Sequence, residues 1–400
     1  MTSPRVAFAK RTLGQLELGE GDRVLVRVDF NVPLKDGRVT DDSRIRAALP
    51  TIGELRGRGA RLVLCSHLGR PKERDPDTSL KPASERLSEL LGAPVQQAPE
   101  VVGDEARRMA SALEPGGVLV LENTRWEAGE TNNDPALAQE LAALADFYVD
   151  DAFGAVHRAH ASTVGVTEHL PSAAGLLLER EVTTLRGIVE SPASPFVVVL
   201  GGAKVTDKIE LIERFLELAD AILIGGAMCF SFFRAQGRST GDSLVEQDGI
   251  PLAERALERA EGSDCRLLLP SDLVLGDAFD EGASRRELAG TDVPDGWMGL
   301  DIGSTTAERY GGEIAAAGTV FWNGPMGAFE LEPFAAGTRT VAESVAAAPG
   351  TTVVGGGDSG AALVSFGLAD RVDHLSTGGG ASLELLEGKS LPGVEALDDA

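Results

Sequence analysis

The sequence has few cysteines, no long apolar run and a deficit of basic residues, and each shortage excludes a class of protein. Cys65, Cys229 and Cys265 form no CxxC pair and cannot all be joined in disulfides, which indicates core residues in a reducing compartment. The most apolar stretch, "AILIGGAMCFSFF", has 13 residues, against the ~20 that a membrane-spanning helix needs. The first residues contain no uninterrupted apolar segment of the kind typical of a secretory signal. We therefore expect a cytoplasmic protein with no membrane partner.

Basic residues are outnumbered by acidic ones, 37 to 62, which gives a formal net charge of −25. A chain of this charge lacks the basic footprint of a nucleic-acid-binding protein, so nucleic acid is not an expected partner. Any bound anion must be held by local basic clusters that overcome repulsion by the overall negative charge of the chain. The length of 400 residues, with 43% hydrophobic content, is enough for two domains, because single cores stop growing at ~250–300 residues.

Short apolar runs alternate along the chain with amphipathic segments about one helix long. Continuous apolar runs indicate strands buried on both faces, as in parallel sheets covered by helices. We therefore predict an α/β fold with two doubly wound parallel-sheet (Rossmann-like) domains joined by a hinge. The segment "VESPASPF" (189–196), rich in proline and serine, is the expected boundary and separates domains 1–190 and 191–387. The runs are "RVLVRVDF" (23–30), "RLVLCSHLG" (61–69), "GVLVLENTR" (117–125), "FYVDDAFG" (147–154), "FVVVLGG" (196–202), "AILIGG" (221–226), "CRLLLP" (265–270), "TVFWNGP" (319–325), "TTVVGGG" (351–357) and "VDHLSTGGG" (372–380).

The strand ends of the first half deliver cationic and polar side chains. Ligands of open α/β sheets bind at the carboxyl ends of the strands, and arginine with histidine suits a small polyanion. Arginines that pair with surface acids are the alternative for any single residue. Zinc is not favoured, because "HRAH" (157–160) has no cysteine and no HExxH context. The side chains are those of Arg27, Asp29, Asn31, His67, Arg70, Arg125, His157, Arg158 and His160.

The strand ends of the second half deliver glycines. "GGGDSG" (355–360) satisfies GxGxxG between a strand and a helix, and Asp373 follows Gly355 by 18 residues, so a dinucleotide-binding dehydrogenase is one interpretation. Asp358 inside the loop would repel a bare pyrophosphate, whereas Mg²⁺ bound with a nucleotide would remove the conflict. Tight strand-to-helix packing is a third interpretation. "STGGGASLELL" (376–386) repeats the layout and could bind an anion through backbone N–H groups.

The loop "GGAKVTDKI" (201–209) has glycines and lysines without the Walker spacing, so it predicts no P-loop. Asp207 and Glu210 resemble a capping pair, which predicts a helix start near this point. Lys204 and Lys208 would then lie close to the helix N-terminus, where cations oppose the helix dipole. A bound anion explains this placement better than helix stability does, with solvated surface lysines as the alternative.

Taken together, these residues resemble the phosphoglycerate kinase family over essentially the whole chain. The matching segments, in order, are "RVDFNVPL" (27–34), "DDSRIRAALPTI" (41–52), "SHLGRPK" (66–72), "VLVLENTR" (118–125), "DAFGAVHRAHAST" (151–163), "LGGAKVTDKI" (200–209), "WMGLDIG" (297–303), "FWNGPMGAFE" (321–330), "GGGDSGAAL" (355–363) and "STGGGASLE" (376–384). The resemblance implies a cytoplasmic glycolytic enzyme, expected to be a monomer. It would transfer a phosphoryl group reversibly from 1,3-bisphosphoglycerate to ADP, giving 3-phosphoglycerate and ATP with Mg²⁺. It also implies that the tail, about 388–400, returns to the first domain.

The resemblance assigns site residues motif by motif. The implied phosphoglycerate site comprises Asp29, Phe30, Asn31, Arg44, His67, Leu68, Gly69, Arg70, Arg125 and Arg158. The implied nucleotide site comprises Lys208, Gly299, Asn323, Glu330, Gly356, Gly357, Asp358 and Ser359, with Asp358 as the magnesium ligand. The residues expected around the transferring phosphoryl group are Arg44, Lys204, Gly378, Gly379 and Gly380. Four positions depart from the commonest family spelling, namely Thr124, Trp126, Asp150 and Val156.

The division of the two substrates between the two domains predicts that the domains close during the reaction, with "VESPASPF" as a flexing point. Two other functions stay open from the residues alone. One is a nicotinamide-dependent dehydrogenase built on "GGGDSG", and the other is a catalytically silent anion-binding protein that keeps the fold.

Overall fold

The computed structural model describes residues 8–400, which divide into two compact units. We call the described residues up to Thr183, together with Gly388–Ala400, the N-unit, and Thr184–Glu387 the C-unit. The division falls within a helix, Leu176–Glu190. The sequence-predicted boundary lies near the carboxyl end of the same helix, and the place where the chain flexes stays a prediction.

The N-unit is built on a six-stranded parallel sheet in the order β5-β6-β4-β1-β7-β8. Its strands are β1 (Arg23–Arg27), β4 (Arg61–Cys65), β5 (Gln96–Gln97), β6 (Val118–Val120), β7 (Phe147–Asp150) and β8 (Ser172–Ala174), with a separate hairpin of β2 (Leu34–Lys35) and β3 (Arg38–Val39). Its helices are α1 (Ser43–Gly57), α2 (Lys81–Leu91), α3 (Asp104–Ser111), α4 (Pro135–Ala142) and the first part of α5 (Leu176–Glu190). The central strands are buried on both faces, as their continuous apolar runs predicted.

The register of the N-unit sheet brings three side chains of the central strands to one edge. Arg27 of β1 is paired with Cys65 of β4 on one side and with Asp150 of β7 on the other. The loops that follow these strands therefore leave the sheet next to one another.

The C-unit has a second six-stranded parallel sheet, in the order β11-β10-β9-β15-β16-β17. Its parallel strands are β9 (Phe196–Leu200), β10 (Ala221–Ile224), β11 (Arg266–Leu268), β15 (Thr319–Asn323), β16 (Thr351–Gly355) and β17 (His374–Leu375). Its helices, after the end of α5, are α6 (Ile209–Leu218), α7 (Cys229–Ala235), α8 (Ile250–Glu261), α9 (Ser304–Ala315), α10 (Ala336–Ala347), α11 (Gly357–Ser365) and α12 (Gly380–Leu386). The predicted fold class is confirmed by these two parallel sheets.

An antiparallel sheet in the C-unit was not predicted. It consists of β12 (Leu273–Gly276), β13 (Arg285–Leu288) and β14 (Met298–Ile302), in the order β13-β12-β14. β13 exposes most of its residues to solvent and so has no apolar run that could mark it. This sheet supplies Gly299, which the sequence resemblance assigns to the nucleotide site.

The start of α6 corrects one detail of the sequence prediction. The helix begins at Ile209 with Lys208 as its N-cap, and no side chain caps it. The proposed capping pair of Asp207 and Glu210 is therefore wrong, because Glu210 lies at the second helical position instead of the third. Lys208 still lies at the N-terminus of the helix, as expected.

The C-terminal tail packs on the N-unit through backbone and side-chain hydrogen bonds. The Asp398 carbonyl accepts from the Arg11 N–H at 2.7 Å, and its carboxylate accepts from the Ser172 N–H at 2.9 Å. A short helix of the tail, α13 (Pro392–Glu395), brings the Gly393 N–H within 2.8 Å of the Val156 carbonyl. The tail therefore contacts the segment that leads to Arg158. Within residues 8–400, no helix combines the length and the apolar composition needed to cross a membrane.

Candidate active site

In the N-unit, two loops and the first turn of a helix meet around Arg44 and Asn31. The Arg44 guanidinium donates to the Asn31 carbonyl at 3.0 Å and lies 3.1 Å from the Asp29 carboxylate. The Asn31 side-chain oxygen accepts from the Gly69 N–H at 2.9 Å. Gly69 has a φ of +63°, a left-handed conformation that favours glycine. The ends of β1 and β4 and the first turn of α1 are thus tied into one cluster.

Asn123 is a hub of this cluster that the sequence analysis did not single out, although it lies inside the motif "ENTR". Its side-chain oxygen accepts from the N–H groups of Leu68 at 3.2 Å and Arg125 at 3.1 Å. Its amide group donates to the Leu68 carbonyl at 2.7 Å. The Arg125 guanidinium in turn donates to the Gly69 carbonyl at 2.5 Å. Arg125 is thereby oriented toward the loop that carries His67 to Arg70.

His67 is buried beside Arg27, whose guanidinium lies 3.0 Å from its Nδ1 atom. Burial lowers the pKa of His67 well below its usual range, and the nearby charges of Arg27 and Arg125 add to this effect. The imidazole is therefore neutral at physiological pH. Arg70 and Arg158, in contrast, are exposed.

Glu130 is fully buried and connects the loop of Arg125 with the loop of Arg158. Its carboxylate accepts from the Ser162 hydroxyl at 2.6 Å and from the Thr124 hydroxyl at 3.1 Å. Thr124 is one of the departures from the family spelling, and its hydroxyl has a defined partner here. The sequence offered no signal for Glu130, because its partners lie in other segments.

The departures at 126 and 150 also make specific contacts. The Trp126 indole N–H donates to the Thr78 hydroxyl at 2.9 Å. The Asp150 carboxylate is fully buried and accepts from the Ala152 N–H at 2.9 Å. Burial raises the pKa of Asp150 to about 6, against the lowering effects of its hydrogen bonds and of the Arg27 charge.

In the C-unit, Lys208 and Asn323 join the ends of β9 and β15. The Lys208 ammonium donates to the carbonyls of Gly201 and Asn323 at 2.6 and 2.8 Å, and to the Asn323 side-chain oxygen at 2.6 Å. Burial lowers the pKa of Lys208 to about 8, although the charge of Asp358 opposes the change. Its donors are occupied by protein oxygens in this structure. Lys204, only four residues earlier, is exposed.

The loop "GGGDSG" packs its glycines against Asn323. Gly356 has a φ of +89°, and a Cβ atom there would lie 2.9 Å from the Asn323 side-chain nitrogen. The Ser359 hydroxyl is buried and accepts from the Gly324 N–H at 2.6 Å. Gly357 and Asp358 follow at the exposed start of α11. Three strand ends, those of β9, β15 and β16, are therefore connected.

A cavity of about 820 Å³ opens beside these strand ends and has mainly apolar walls. Three residues assigned by the resemblance line it, namely Gly299, Glu330 and Asp358. Residues that sequence reasoning had not assigned also line it, among them Gly202, Gly226, Phe230, Leu244, Phe279 and Pro325. The glycine pairs after β9 and β10 were a usable signal for the first two of these, whereas Phe230, Leu244 and Phe279 belong to no glycine motif.

In the loop "STGGGASLELL" (376–386), one backbone N–H group that was expected to be available to an anion already has a partner. The Gly378 N–H donates to the Ser376 hydroxyl at 3.2 Å. Gly379 is the N-cap of α12 and has a φ of +52°. Gly378 is one of the three glycines whose N–H groups are expected to face the transferring phosphoryl group. To do so, its N–H would have to give up the hydrogen bond to Ser376.

A unit that gathers guanidinium groups and a unit that surrounds a nucleotide-sized cavity with glycine loops are the parts of a two-domain α/β phosphotransferase. A model of the phosphoglycerate kinase family matches residues 15–389. The chain belongs to the phosphoglycerate kinase family. This membership decides against the dehydrogenase interpretation of "GGGDSG".

Individual relatives match along nearly their full length. The chain is 55% identical to the phosphoglycerate kinase of Rubrobacter xylanophilus, with 98% of each chain covered. It is 52% identical to phosphoglycerate kinase 3, cytosolic, of Arabidopsis thaliana, covering 98% of this chain and 99% of that protein. The structure of phosphoglycerate kinase from Coxiella burnetii superposes with a TM-score of 0.87 at 40% identity, and that from Pyrococcus horikoshii OT3 with 0.84 at 34% identity. Each structure covers 97% of this chain, and 98% of its own chain is matched.

Proposed function

We propose that the chain transfers a phosphoryl group reversibly from 1,3-bisphosphoglycerate to ADP, which gives 3-phosphoglycerate and ATP. The observation that carries the proposal is the cavity of about 820 Å³, lined by glycine backbone and by the Asp358 carboxylate, in a chain of this phosphotransferase family. A cytoplasmic location and a monomeric state stay predictions.

The phosphoglycerate site is assigned to the N-unit. The hydrogen bonds among Arg44, Asn31, Gly69 and Arg125 support this assignment, because they gather cationic groups and polar backbone at one sheet edge. Guanidinium groups bind carboxylate and phosphate oxygens with paired hydrogen bonds. The proposed ligands are Asp29, Phe30, Asn31, Arg44, His67, Leu68, Gly69, Arg70, Arg125 and Arg158.

The nucleotide site is assigned to the cavity of the C-unit and to the strand ends beside it. Its apolar walls suit a nucleobase, and its glycines allow close approach of phosphates to backbone N–H groups. The proposed ligands are Lys208, Gly299, Asn323, Glu330, Gly356, Gly357, Asp358 and Ser359. Lys208 and Asn323 support the site through their mutual contacts, and a direct bond from Lys208 to the nucleotide would replace one of these.

Magnesium fits the residues present only together with the nucleotide. Across the described part of the chain, no three His, Cys, Asp or Glu side chains are grouped so as to hold a metal ion. Asp358 presents one exposed carboxylate beside the cavity, and Mg²⁺ is commonly bound through one or two carboxylates plus substrate phosphates. We therefore assign Asp358 as its protein ligand. Bound Mg²⁺ would neutralise charge on the phosphate oxygens.

Phosphoryl transfer requires the protein mainly to position the two substrates and to neutralise charge on the transferring group. An oxygen of the ADP β-phosphate attacks the phosphorus of the acyl phosphate, and the bond from that phosphorus to the carboxyl oxygen breaks. The carboxylate leaves with the electron pair and is ionised near neutral pH, so no general base is needed. Arg44, Lys204 and the amides of Gly378 to Gly380 are proposed to stabilise the charge on the transferring group. Because the substrates are assigned to different units, domain closure around the hinge segment is expected as well.

A coupled assay of ATP formation from 1,3-bisphosphoglycerate tests the proposal. The wild type should be active only with a divalent cation, and Lys204→Ala should lower kcat by about a hundredfold, the usual scale for loss of one charge-stabilising group. Lys35→Ala, which removes an exposed lysine of the hairpin, is the matched control and should keep wild-type activity. An inactive but folded wild type would instead support the silent anion-binding protein, and an unimpaired Lys204→Ala variant would reject the role of that lysine.

A further inference from the structure

Arg27 is a charged residue near the proposed phosphoglycerate site to which the family resemblance assigns no role. Its side chain is fully buried at the end of β1. One terminal nitrogen donates to the Val28 carbonyl at 3.0 Å and lies 3.4 Å from the Cys65 carbonyl. The other lies 3.0 Å from His67 Nδ1. The guanidinium Nε atom has no hydrogen-bond partner among residues 8–400.

The contact between Arg27 and His67 fixes the location of the imidazole proton. A guanidinium is protonated at all physiological pH values and has no acceptor. The hydrogen bond must therefore run from Arg27 to a bare Nδ1, which leaves the proton of the neutral ring on Nε2. A doubly protonated imidazolium would place an N–H directly against the guanidinium and is excluded by this geometry.

The surroundings of the two side chains agree with this assignment. The charged or titratable groups that oppose protonation of His67 are Arg27, Arg44, Arg125 and His160. The acidic groups that stabilise the buried guanidinium electrostatically are Asp29, Glu130 and Asp150, with the Cys65 thiol also nearby. The positive charge is thus held in place by acids on other strands and loops, while its hydrogen bond is directed at His67.

We propose that Arg27 is a positioning residue that holds His67 as the neutral, Nε2-protonated imidazole and so presents an N–H donor to the bound anion. Arg27 does not itself contact the anion, because it is fully buried. The identity of that anion as phosphoglycerate rests on the function proposed above. The protonation state and tautomer of His67 do not rest on that function, because they follow from the contact between Arg27 and His67.

Nuclear magnetic resonance of protein labelled with ¹⁵N at histidine tests the proposal directly. The chain has five histidines, and the signals of His67 are identified by their loss in His67→Gln. In the wild type, two-bond ¹H–¹⁵N spectra should show His67 as the Nε2–H form from pH 8 down to pH 5.5. A wild-type spectrum with an Nδ1–H or a cationic His67 at pH 7 would overturn the proposal whether or not any variant folds.

Three variants separate positioning from a merely structural role. Arg27→Met removes the cation that lies 3.0 Å from Nδ1, so Nδ1 should lose its donor and the pKa of His67 should rise. Arg27→Lys keeps the charge and should hold His67 neutral. Arg23→Met removes the same charge from the other end of β1, where Arg23 pairs with Asp146, and should leave His67 unchanged. An Arg27→Met protein with wild-type titration of His67 would refute the inference.

Kinetics provide a second readout. Arg27→Met should raise KM for 3-phosphoglycerate about tenfold, the effect of losing one oriented hydrogen bond, with KM for ATP unchanged and partial recovery in Arg27→Lys. Equal changes in both KM values would contradict the positioning role. A wild type that shows the expected His67 spectrum but does not turn over phosphoglycerate would refute the proposed function and leave the Arg27–His67 assignment intact.

Discussion

Replacing Lys208 by methionine should destabilise the C-unit, because the ammonium holds two strand ends together from a buried position. Methionine keeps most of the apolar stem and removes the charge. The substitution leaves the carbonyls of Gly201 and Asn323, and the Asn323 side-chain oxygen, without this donor. Buried acceptors that lose their donor cannot recover the bond from water.

The size of the effect follows from two opposing contributions. Hydrogen bonds from a charged group contribute about 1.5–3 kcal/mol each, and three are lost. Burial of the ammonium lowers the pKa of Lys208 from 10.5 to about 8, a cost of about 3 kcal/mol that methionine does not carry. We therefore expect a net loss of about 1.5–6 kcal/mol in the free energy of unfolding at pH 7.

The lowered pKa of Lys208 makes the stability difference between the wild type and the methionine variant dependent on pH. The folded pKa of Lys208, about 8, lies below its ordinary value of 10.5, so between these values the unfolded chain binds more protons than the folded protein. The wild type therefore gains stability relative to the methionine variant as the pH rises through this window, while below pH 8 the full burial cost is present. Between pH 7 and 9.5 the difference between the two proteins should grow by about 2 kcal/mol.

Urea unfolding at pH 7 and pH 9.5 measures both quantities. The transition is followed by tryptophan fluorescence, to which the fully buried Trp322 of β15 contributes. Lys35→Met, an exposed substitution in the hairpin, is the control and should match the wild type at both pH values. The reasoning would be refuted if Lys208→Met lowered the free energy of unfolding by less than about 1 kcal/mol at pH 7. It would also be refuted if the difference between the variant and the wild type were smaller at pH 9.5 than at pH 7.

Three further substitutions have expected outcomes. Gly299→Ala would place a Cβ atom 2.2 Å from the Phe230 ring, so KM for ADP should rise about tenfold in the kinase assay, with a stability loss of about 1–3 kcal/mol. Gly393→Ala would place a Cβ atom 2.9 Å from the Val156 Cα atom, so KM for 3-phosphoglycerate should rise, because the backbone leading to Arg158 must shift. Glu130→Gln turns one of two buried acceptor oxygens into an NH2 donor group, and thermal unfolding should show a loss of about 1–3 kcal/mol.

Two other glycines serve as controls for the glycine substitutions, because an added Cβ atom would have open space there. Gly312 in α9 and Gly53 in α1 would meet nothing within 4 Å on gaining a Cβ atom. Alanine at either position should leave both KM values unchanged. Wild-type KM for ADP in Gly299→Ala, or for 3-phosphoglycerate in Gly393→Ala, would contradict the steric argument. For Glu130→Gln, unchanged thermal unfolding would show that the hydrogen bonds of this carboxylate contribute little.

The central parallel strands could be predicted because strands buried on both faces leave continuous apolar runs. β1, β4, β9 and β10 follow this rule. β13 exposes most of its residues, and β8 has only three residues, Ser172–Ala174, so neither produces such a run. Burial on both faces is the physical property that the pattern records. β13 lacks this burial, whereas β8 is buried but too short and too poor in bulky apolar residues to stand out in the sequence.

The roles of Asn123 and Glu130 in connecting loops of the N-unit could not be predicted from their local sequence. Asn123 is bonded to Leu68, 55 residues away, and Glu130 to Ser162, 32 residues away. The motif "ENTR" pointed to Arg125, but nothing in its spacing indicated that Asn123 orients it. Such roles depend on which loops lie side by side, and this follows from strand order.

The sequence by itself determined which chemical groups are available, namely guanidinium groups after the first strands, and glycines and lysines after the later ones. Only the tertiary structure decided what each group does. Lys204 and Lys208 belong to one short loop and have the same side chain, yet Lys204 is exposed, whereas Lys208 is buried among carbonyl oxygens with a pKa of about 8. The difference arises because desolvation and hydrogen-bond partners are set by residues remote in the chain, such as Asn323.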